Sequence, residues 1–127
     1  MKKAIQSPSA PAAIGPYSQG IQIGDFAFFS GQIPIVPSTG QIEATTIEAQ
    51  TEQCISNIQA LLAEVGCTLK NVIKTTVFLS DMDHFSGMNE VYSKHFSAPY
   101  PARSTVAVKE LPKKSLVEIE VVVHLSA

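Results

Sequence analysis

Two charged residues near the C-terminal end of the chain have the chemistry needed to bind and transform a small carboxylate. Arg103 follows Pro101 and Ala102 and precedes a run rich in β-branched residues, which fixes its position locally. A guanidinium presents parallel N–H donors that match the two oxygens of a carboxylate, so Arg103 is a candidate anchor for a small anionic substrate. An ordinary ion pair with Glu118 or Glu120 is the alternative, and the sequence leaves both open.

Glu118 is the candidate acid or base of such a site. It stands between Val117 and Ile119, and a carboxyl group with apolar neighbours can have a raised pKa that suits proton transfer. Glu120 lies two residues further along and therefore shares its face of a strand. Both glutamates are equally compatible with solvated surface charges.

The residues that a metal centre needs are not spaced for one in this sequence. The three histidines, His84, His95 and His124, do not converge in sequence, and there is no H-x-x-x-H or C-x-x-C pattern. Cys54 and Cys67 are the only cysteines, and we expect them to be inert reduced thiols. The sequence therefore predicts no metal site.

Length and composition limit the class of protein. A chain of 127 residues fits one domain, over 1–127, and 45% hydrophobic residues can form a core. The net charge of −2 argues against a surface built for nucleic acid. No run reaches the roughly 20 apolar residues of a membrane helix, and the N-terminus lacks the apolar middle of a signal peptide. We expect a cytoplasmic protein.

Hydrophobic periodicity and turn residues predict two helices and five or six strands. The predicted elements are strands Gln19–Ile23 and Phe26–Ser30 with a turn at Gly24-Asp25, a helix from Thr46 to Val65 ended by Gly66, a strand Lys70–Ser80, a helix opening at Asp81 or Asp83, strands Arg103–Val108 and Leu116–Leu125, and a further strand at Lys3–Gln6. The segment after Ile33 reads as a loop. This order predicts an α+β fold with both helices on one face of a sheet of about six strands.

Alternation along the last strand assigns residues to the two faces of that sheet. Val117 and its apolar i+2 neighbours face the helices, so Glu118, Glu120 and Val122 face the other way. We place Arg103 and Ala107 on that uncovered face as well, with Phe78, and expect a second subunit to cover it. In a simple hairpin of the last two strands, Arg103 would lie roughly 13 Å from Glu118. Either the two strands are not neighbours, or the two residues meet across a subunit boundary.

Four segments resemble the reactive intermediate deaminase A family, also called the YjgF or L-PSP family. They are IGPYSQG at Ile14–Gly20, FFSGQIP at Phe28–Pro34, the helix around Asn89, and PARSTVAVKELPKKSLVEIE at Pro101–Glu120. The resemblance implies a chorismate-mutase-like fold, a homotrimer with clefts between its subunits, and no metal or organic cofactor.

The resemblance also implies roles for individual residues. Arg103 would grip the substrate carboxylate, and Glu118 would position water or move a proton. Tyr17, the backbone at Ser30 and Gly31, and Asn89 would line the pocket. Thr105 stands where many members have a cysteine, which implies a changed pocket lining without a thiol.

The implied activity is hydrolysis of reactive enamines and imines of 2-amino acids to 2-oxo acids and ammonia, as in a 2-iminobutanoate/2-iminopropanoate deaminase. These intermediates are released by pyridoxal-phosphate dehydratases. Two alternatives are a non-catalytic regulatory protein that binds small carboxylates, and an endoribonuclease that inhibits translation. The slight acidity of the chain counts against the ribonuclease.

Overall fold

Two helices and eight strands make up the fold in a computed structural model that describes all 127 residues. The elements are β1 Lys3–Ile5, β2 Gly20–Ile23, β3 Phe26–Gln32, β4 Ile35–Val36, β5 Gln41–Ile42, α1 Ile47–Ala63, β6 Val72–Leu79, α2 Phe85–His95, β7 Ala102–Ala107 and β8 Val117–His124. Six strands form one sheet in the order β1-β2-β3-β8-β6-β7, and β4 and β5 form a separate pair. The predicted α+β fold, with two helices on one sheet face, is confirmed.

The core lies between the helices and one face of the six-stranded sheet. It contains a cluster of 21 buried residues, most of which come from α1, α2 and the inward positions of the strands. Along β8 buried and half-buried residues alternate, so the predicted inward face of Val117, Ile119, Val121 and Val123 is confirmed. Cys54 and Cys67 are free and buried, and burial, reinforced by the charge of Glu118, raises the pKa of the Cys54 thiol.

Helix α1 begins where its sequence predicts and ends at Ala63, two residues before the predicted end at Val65. The Thr46 hydroxyl accepts a hydrogen bond from the Ala49 N–H at 3.1 Å, which satisfies one of the free donors of the first turn. Gly66 has a φ of +69°, the left-handed conformation that commonly follows a helix end.

The chain crosses over between β6 and β7 through helix α2, so these two strands run parallel. Strand β6 therefore lies between β7 and β8, and the simple hairpin of the last two strands is wrong. Asp81 caps a 3₁₀ turn at Met82–His84 by accepting from the Asp83 N–H at 2.8 Å. The α-helix itself begins at Phe85, a little later than the sequence indicates.

The pairing of β7 with β6 corrects the face on which Arg103 lies. Arg103 is level with Thr75, and Thr105 is level with Val77. Paired residues point to the same side of a sheet, and both Thr75 and Val77 are buried towards the helices. Arg103, Thr105 and Ala107 are therefore on the helix side, whereas Ser104 and Val106 share the open face with Phe78. The prediction failed because β7 is an edge strand with no fully buried residue, and its own pattern does not mark its inner face.

The open face of the sheet carries apolar side chains beside its two glutamates. Phe26, Phe28 and Val122 lie on it, where β3 pairs with β8, and Ile23 and Val106 extend it in both directions. The exposed fractions of Phe28 and Val106 are 47% and 45%. So large an apolar surface is typical of a face that another molecule covers.

Two local elements differ from the expected boundaries. The segment expected to be a loop after Ile33 contains the two-residue strands β4 and β5. Strand β6 begins at Val72 because Thr68 and Asn71 cap a 3₁₀ turn ahead of it. No helix of the chain combines the length and the apolar character needed to cross a membrane.

Candidate active site

One cleft gathers four of the predicted site residues. It has a volume of about 620 Å³, and Tyr17, Ser30, Gly31 and Glu118 all line it. Its other walls come from the N-terminal segment at Pro11–Ile14, from residues 32–35, and from the turn at Pro112–Lys113. We call this the glutamate cleft.

A bulge in β3 brings the backbone of Ser30 and Gly31 against Glu118. The pairing of β3 with β8 is interrupted between Phe29 and Gln32, and such bulges commonly redirect the chain next to active sites. The Ser30 hydroxyl donates to the Ser18 carbonyl at 2.6 Å, and its N–H donates to the Gln19 carbonyl at 3.0 Å. A Cβ on Gly31 would collide with the Glu118 carboxylate, so only glycine permits this approach.

The Glu118 carboxyl group is half-buried beside like charge. Burial raises its pKa above the ordinary value, and the negative charge of Glu120 raises the pKa further. A carboxyl group with a raised pKa can take up and release a proton closer to neutral pH. The apolar neighbours of Glu118 in the sequence predicted the effect of burial, whereas the contribution of Glu120 was not predicted, although its place on the same face was.

Tyr17 stands at the mouth of the glutamate cleft with 54% of its surface exposed. Its hydroxyl accepts a hydrogen bond from the Ile14 N–H at 3.3 Å. Gly15, with a φ of +127°, lets the chain turn between these two residues. The ring is thereby fixed near the Pro11–Ile14 wall.

Buried amide side chains fix the walls of the glutamate cleft, and the sequence analysis missed them. Gln19 is 4% exposed; its side-chain amide donates to the Pro11 carbonyl at 2.7 Å and accepts from the Ser7 N–H at 2.7 Å. On α1, Asn57 donates to the Ile35 carbonyl at 2.9 Å.

Gln50, also on α1, fixes the backbone at the start of β8 in the same way. It accepts from the Leu116 N–H at 2.8 Å, two residues before Glu118. Gln50 and Asn57 lie three or four residues from Cys54, Ile47 and Leu61 of the apolar stripe. That spacing places an amide on the buried side of a helix and was the available signal.

A second cleft of about 420 Å³ contains Arg103 and Asn89, with Tyr92, Ser93, Tyr100 and Pro101. The Arg103 Nη1 donates to the Asn89 Oδ1 at 2.8 Å. Its guanidinium carbon lies 4.7 Å from the ring centroid of Tyr92 and 5.6 Å from that of Phe85. We call this the arginine cleft.

Arg103 has no acidic partner within the chain. The two ion pairs of the structure join Lys94 to Glu90 and His95 to Glu52. The alternative in which Arg103 pairs with Glu118 or Glu120 is therefore not realised within one subunit. Because the bond to Asn89 uses one of the five N–H donors of a guanidinium, others are left for a carboxylate ligand.

The two clefts are separate within one chain. Glu118 is level with Phe78, which is level with Val106, three residues beyond Arg103. Three residues along the strand and two strand spacings across the sheet put the Cα atoms of Arg103 and Glu118 roughly 14 Å apart. Their side chains also leave opposite faces of the sheet, so one small ligand cannot touch both in a single chain.

Thr105 lines neither cleft. Its hydroxyl oxygen has essentially no accessible surface and no hydrogen-bond partner. Its predicted contact with substrate stays a prediction. No group of three or more histidine, cysteine, aspartate or glutamate side chains is arranged to hold a metal ion.

Known proteins resemble the chain over nearly its whole length. Residues 7–125 match the family described as Endoribonuclease L-PSP. The chain is 47% identical to a RutC family protein of Sinorhizobium fredii over 99% of this chain and 100% of that protein. It is 41% identical to the chloroplastic Reactive Intermediate Deaminase A of Arabidopsis thaliana, over 98% of this chain and 66% of the plant protein.

A solved structure agrees with the fold. The crystal structure of Escherichia coli TdcF with bound serine superposes with a TM-score of 0.89 at 41% identity, covering 96% of this chain and 98% of that one. The names of these relatives support a deaminase role of the reactive-intermediate type at the level of the family. The chain therefore belongs to the family of reactive intermediate deaminase A, YjgF and L-PSP proteins.

Proposed function

We propose that the protein hydrolyses enamines and imines of short 2-amino acids to 2-oxo acids and ammonia. The observation that carries this proposal is the Arg103 guanidinium, which is fixed by Asn89 and two aromatic rings and has N–H donors without an acidic partner. Such a group recognises a carboxylate. A relative, TdcF, was crystallised with serine, which carries a carboxylate next to a nitrogen-bearing carbon.

The two clefts complement each other chemically. The arginine cleft offers the anchor for the carboxylate, and the glutamate cleft offers a carboxyl group with a raised pKa. We propose a homotrimer, as the family resemblance implies, in which the arginine cleft of one subunit faces the glutamate cleft of the next. The exposed apolar side chains of Phe28 and Val106 on the open sheet face support an oligomer.

The reaction follows from these positions. Arg103 holds the carboxylate and so fixes the reacting carbon, while the enamine tautomerises to the imine. Glu118 accepts a proton from water as the oxygen adds to C2 of the imine, and passes this proton to the nitrogen to give a carbinolamine. Glu118 then takes the carbinolamine hydroxyl proton and delivers it to the nitrogen as the C–N bond breaks, which leaves the 2-oxo acid and ammonia. Tyr17 forms part of the wall. Free imines already hydrolyse in water, so orientation and proton transfer need lower the barrier only modestly.

A coupled reaction tests the activity. A threonine or serine dehydratase would generate the enamine in place, and the decay of the enamine absorbance and the appearance of 2-oxo acid would be followed with and without this protein. We expect both to accelerate. Binding of pyruvate without any acceleration would favour the non-catalytic carboxylate-binding alternative, and cleavage of RNA under the same conditions would favour the ribonuclease.

Mixing two inactive variants tests the shared site. In a cyclic trimer, every mixed assembly of Arg103→Ala and Glu118→Gln subunits contains one site with both native residues. If equal amounts of the two variants assemble at random, about a quarter of all sites should contain both native residues. If Arg103 and Glu118 of the same subunit served one site, the mixture would stay inactive, and the proposed arrangement would be wrong.

A further inference from the structure

Helix α2 surrounds the Arg103 guanidinium with three side chains from one face. Phe85, Asn89 and Tyr92 follow one another at i, i+4 and i+7, the spacing of neighbours on a helix surface. Asn89 binds the Nη1 atom at 2.8 Å, and the ring of Tyr92, at 4.7 Å, is the nearer of the two rings. A guanidinium attracts an aromatic face and stacks on it as a plane.

Two further contacts, with Thr75 and with Phe96, hold the side chain of Tyr92 in place. Its hydroxyl lies 2.9 Å from the hydroxyl of Thr75, and Thr75 is 0% exposed. The ring also stacks on Phe96 at a centroid distance of 4.3 Å. Burial raises the pKa of Tyr92, so the phenol stays protonated and available for the bond to Thr75.

Thr75, which anchors the Tyr92 ring, lies next to Arg103 in the sheet. Thr75 is the register partner of Arg103 on the adjacent strand. A rigid chain of contacts therefore runs from the Thr75 hydroxyl through the Tyr92 ring and back to the Arg103 head. The guanidinium cannot turn on its flexible stem without leaving both the Tyr92 ring and the Asn89 oxygen.

We propose that Tyr92 is a positioning residue, whose ring holds the Arg103 guanidinium in one orientation before the substrate arrives. This inference rests on the proposed function, because it takes Arg103 as the anchor of the substrate carboxylate. Preorganisation of this kind improves affinity, because the long Arg103 side chain is already ordered before the ligand binds. Tyr92 acts through Arg103.

Three variants separate this role from plain packing. Tyr92→Met replaces the ring by a flexible side chain that fills the space, and Tyr92→Phe keeps the ring. Val91→Ala, a neighbouring buried position of α2, is the control for loosened packing. We expect Tyr92→Met to weaken pyruvate binding by about tenfold and Tyr92→Phe by only about twofold. Val91→Ala should lower the melting temperature without changing pyruvate affinity.

A double-mutant cycle shows whether the effect passes through Arg103. Pyruvate titrations followed by NMR reach the millimolar affinities expected for Arg103→Ala. In that background, Tyr92→Met should cause no further loss of affinity. An equal loss in both backgrounds would overturn the inference, and so would unchanged pyruvate binding by Tyr92→Met in the native background.

A measurement on the unmodified protein covers the case in which Tyr92→Met does not fold. The Arg103 Nε–H group of the ligand-free protein should have an order parameter close to the rigid-backbone value of about 0.85. A value below about 0.6 would mean a mobile head and would refute the positioning role. If the wild-type protein neither binds pyruvate nor hydrolyses the enamine, the proposed function fails instead, whatever the order parameter is.

Discussion

Replacing Arg103 by lysine keeps the positive charge and removes the planar fork, so it tests orientation apart from attraction. The bond from Nη1 to Asn89 and the contact with the Tyr92 ring would both be lost or weakened, and a substrate carboxylate would meet one point charge in place of parallel donors.

The expected loss can be worked out from these contacts. A hydrogen bond to a charged group contributes about 2 kcal/mol, which corresponds to about a thirtyfold fall in kcat/KM. Two such bonds are at stake, one to Asn89 and one to the substrate. Because the first is indirect, we take about thirtyfold as the minimum effect for the enamine substrate.

The assay measures kcat/KM for the enamine and the dissociation constant of pyruvate, with the oligomeric state checked for each variant. Lys94→Ala is the matched control, because it removes an exposed cation of α2 outside the arginine cleft. We expect it to leave kcat/KM within about twofold, since exposed charges are screened. If Arg103→Lys retains kcat/KM within about threefold of wild type, the bidentate anchor is refuted.

Four further outcomes follow from the site and the open face. Gly31→Ala should lower kcat/KM by about two orders of magnitude in the enamine assay, because its Cβ displaces the Glu118 carboxylate from the place where it acts. In a pH–rate profile, activity should fall as pH drops through the raised pKa of Glu118, because the protonated carboxyl group cannot accept a proton. Glu120→Gln should move that fall to lower pH, because it removes the neighbouring negative charge that raises the pKa of Glu118. Phe28→Asp should yield smaller, folded and inactive species in sedimentation and circular dichroism, because it places a charge on the apolar open face. Dialysis against a chelator should leave the rate unchanged, and restoration of a lost rate by zinc would contradict the site assignment.

Hydrophobic periodicity predicted the elements that bury one complete face. The stripe of α1 and the alternation of β8 each have a single solution, because burying the other side would place charges such as Glu118 in the core. The start of α1 was accurate at its cap residue Thr46, and its end at Ala63 lies two residues before the predicted one. These parts of the fold follow from short-range pattern alone.

Hydrophobic periodicity could not show on which side of the sheet Arg103 lies. Alternation fixes which residues of β7 share a side, but the residue types of an edge strand without a buried residue give no sign of which side is inner. That choice depends on the parallel pairing with β6, and this pairing is a long-range property of the crossover through α2. The same holds for Gln19, since its carbonyl partners belong to an irregular segment that no periodicity describes.

The corrected face changes how the site must be assembled. On a shared face, only the distance along and across the sheet would have separated Arg103 from Glu118, whereas in the structure the sheet itself also lies between the two side chains. On the helix side, the Arg103 guanidinium lies against Tyr92 and Asn89 of α2, but the side chain then points away from Glu118. Rigidity of the anchor and proximity to the acid cannot both be met within one subunit of this topology. The proposed arrangement, in which a second copy of the chain presents its glutamate cleft to the arginine cleft of the first, would satisfy both requirements, which is why the mixing of inactive variants is the most direct test of the proposed site.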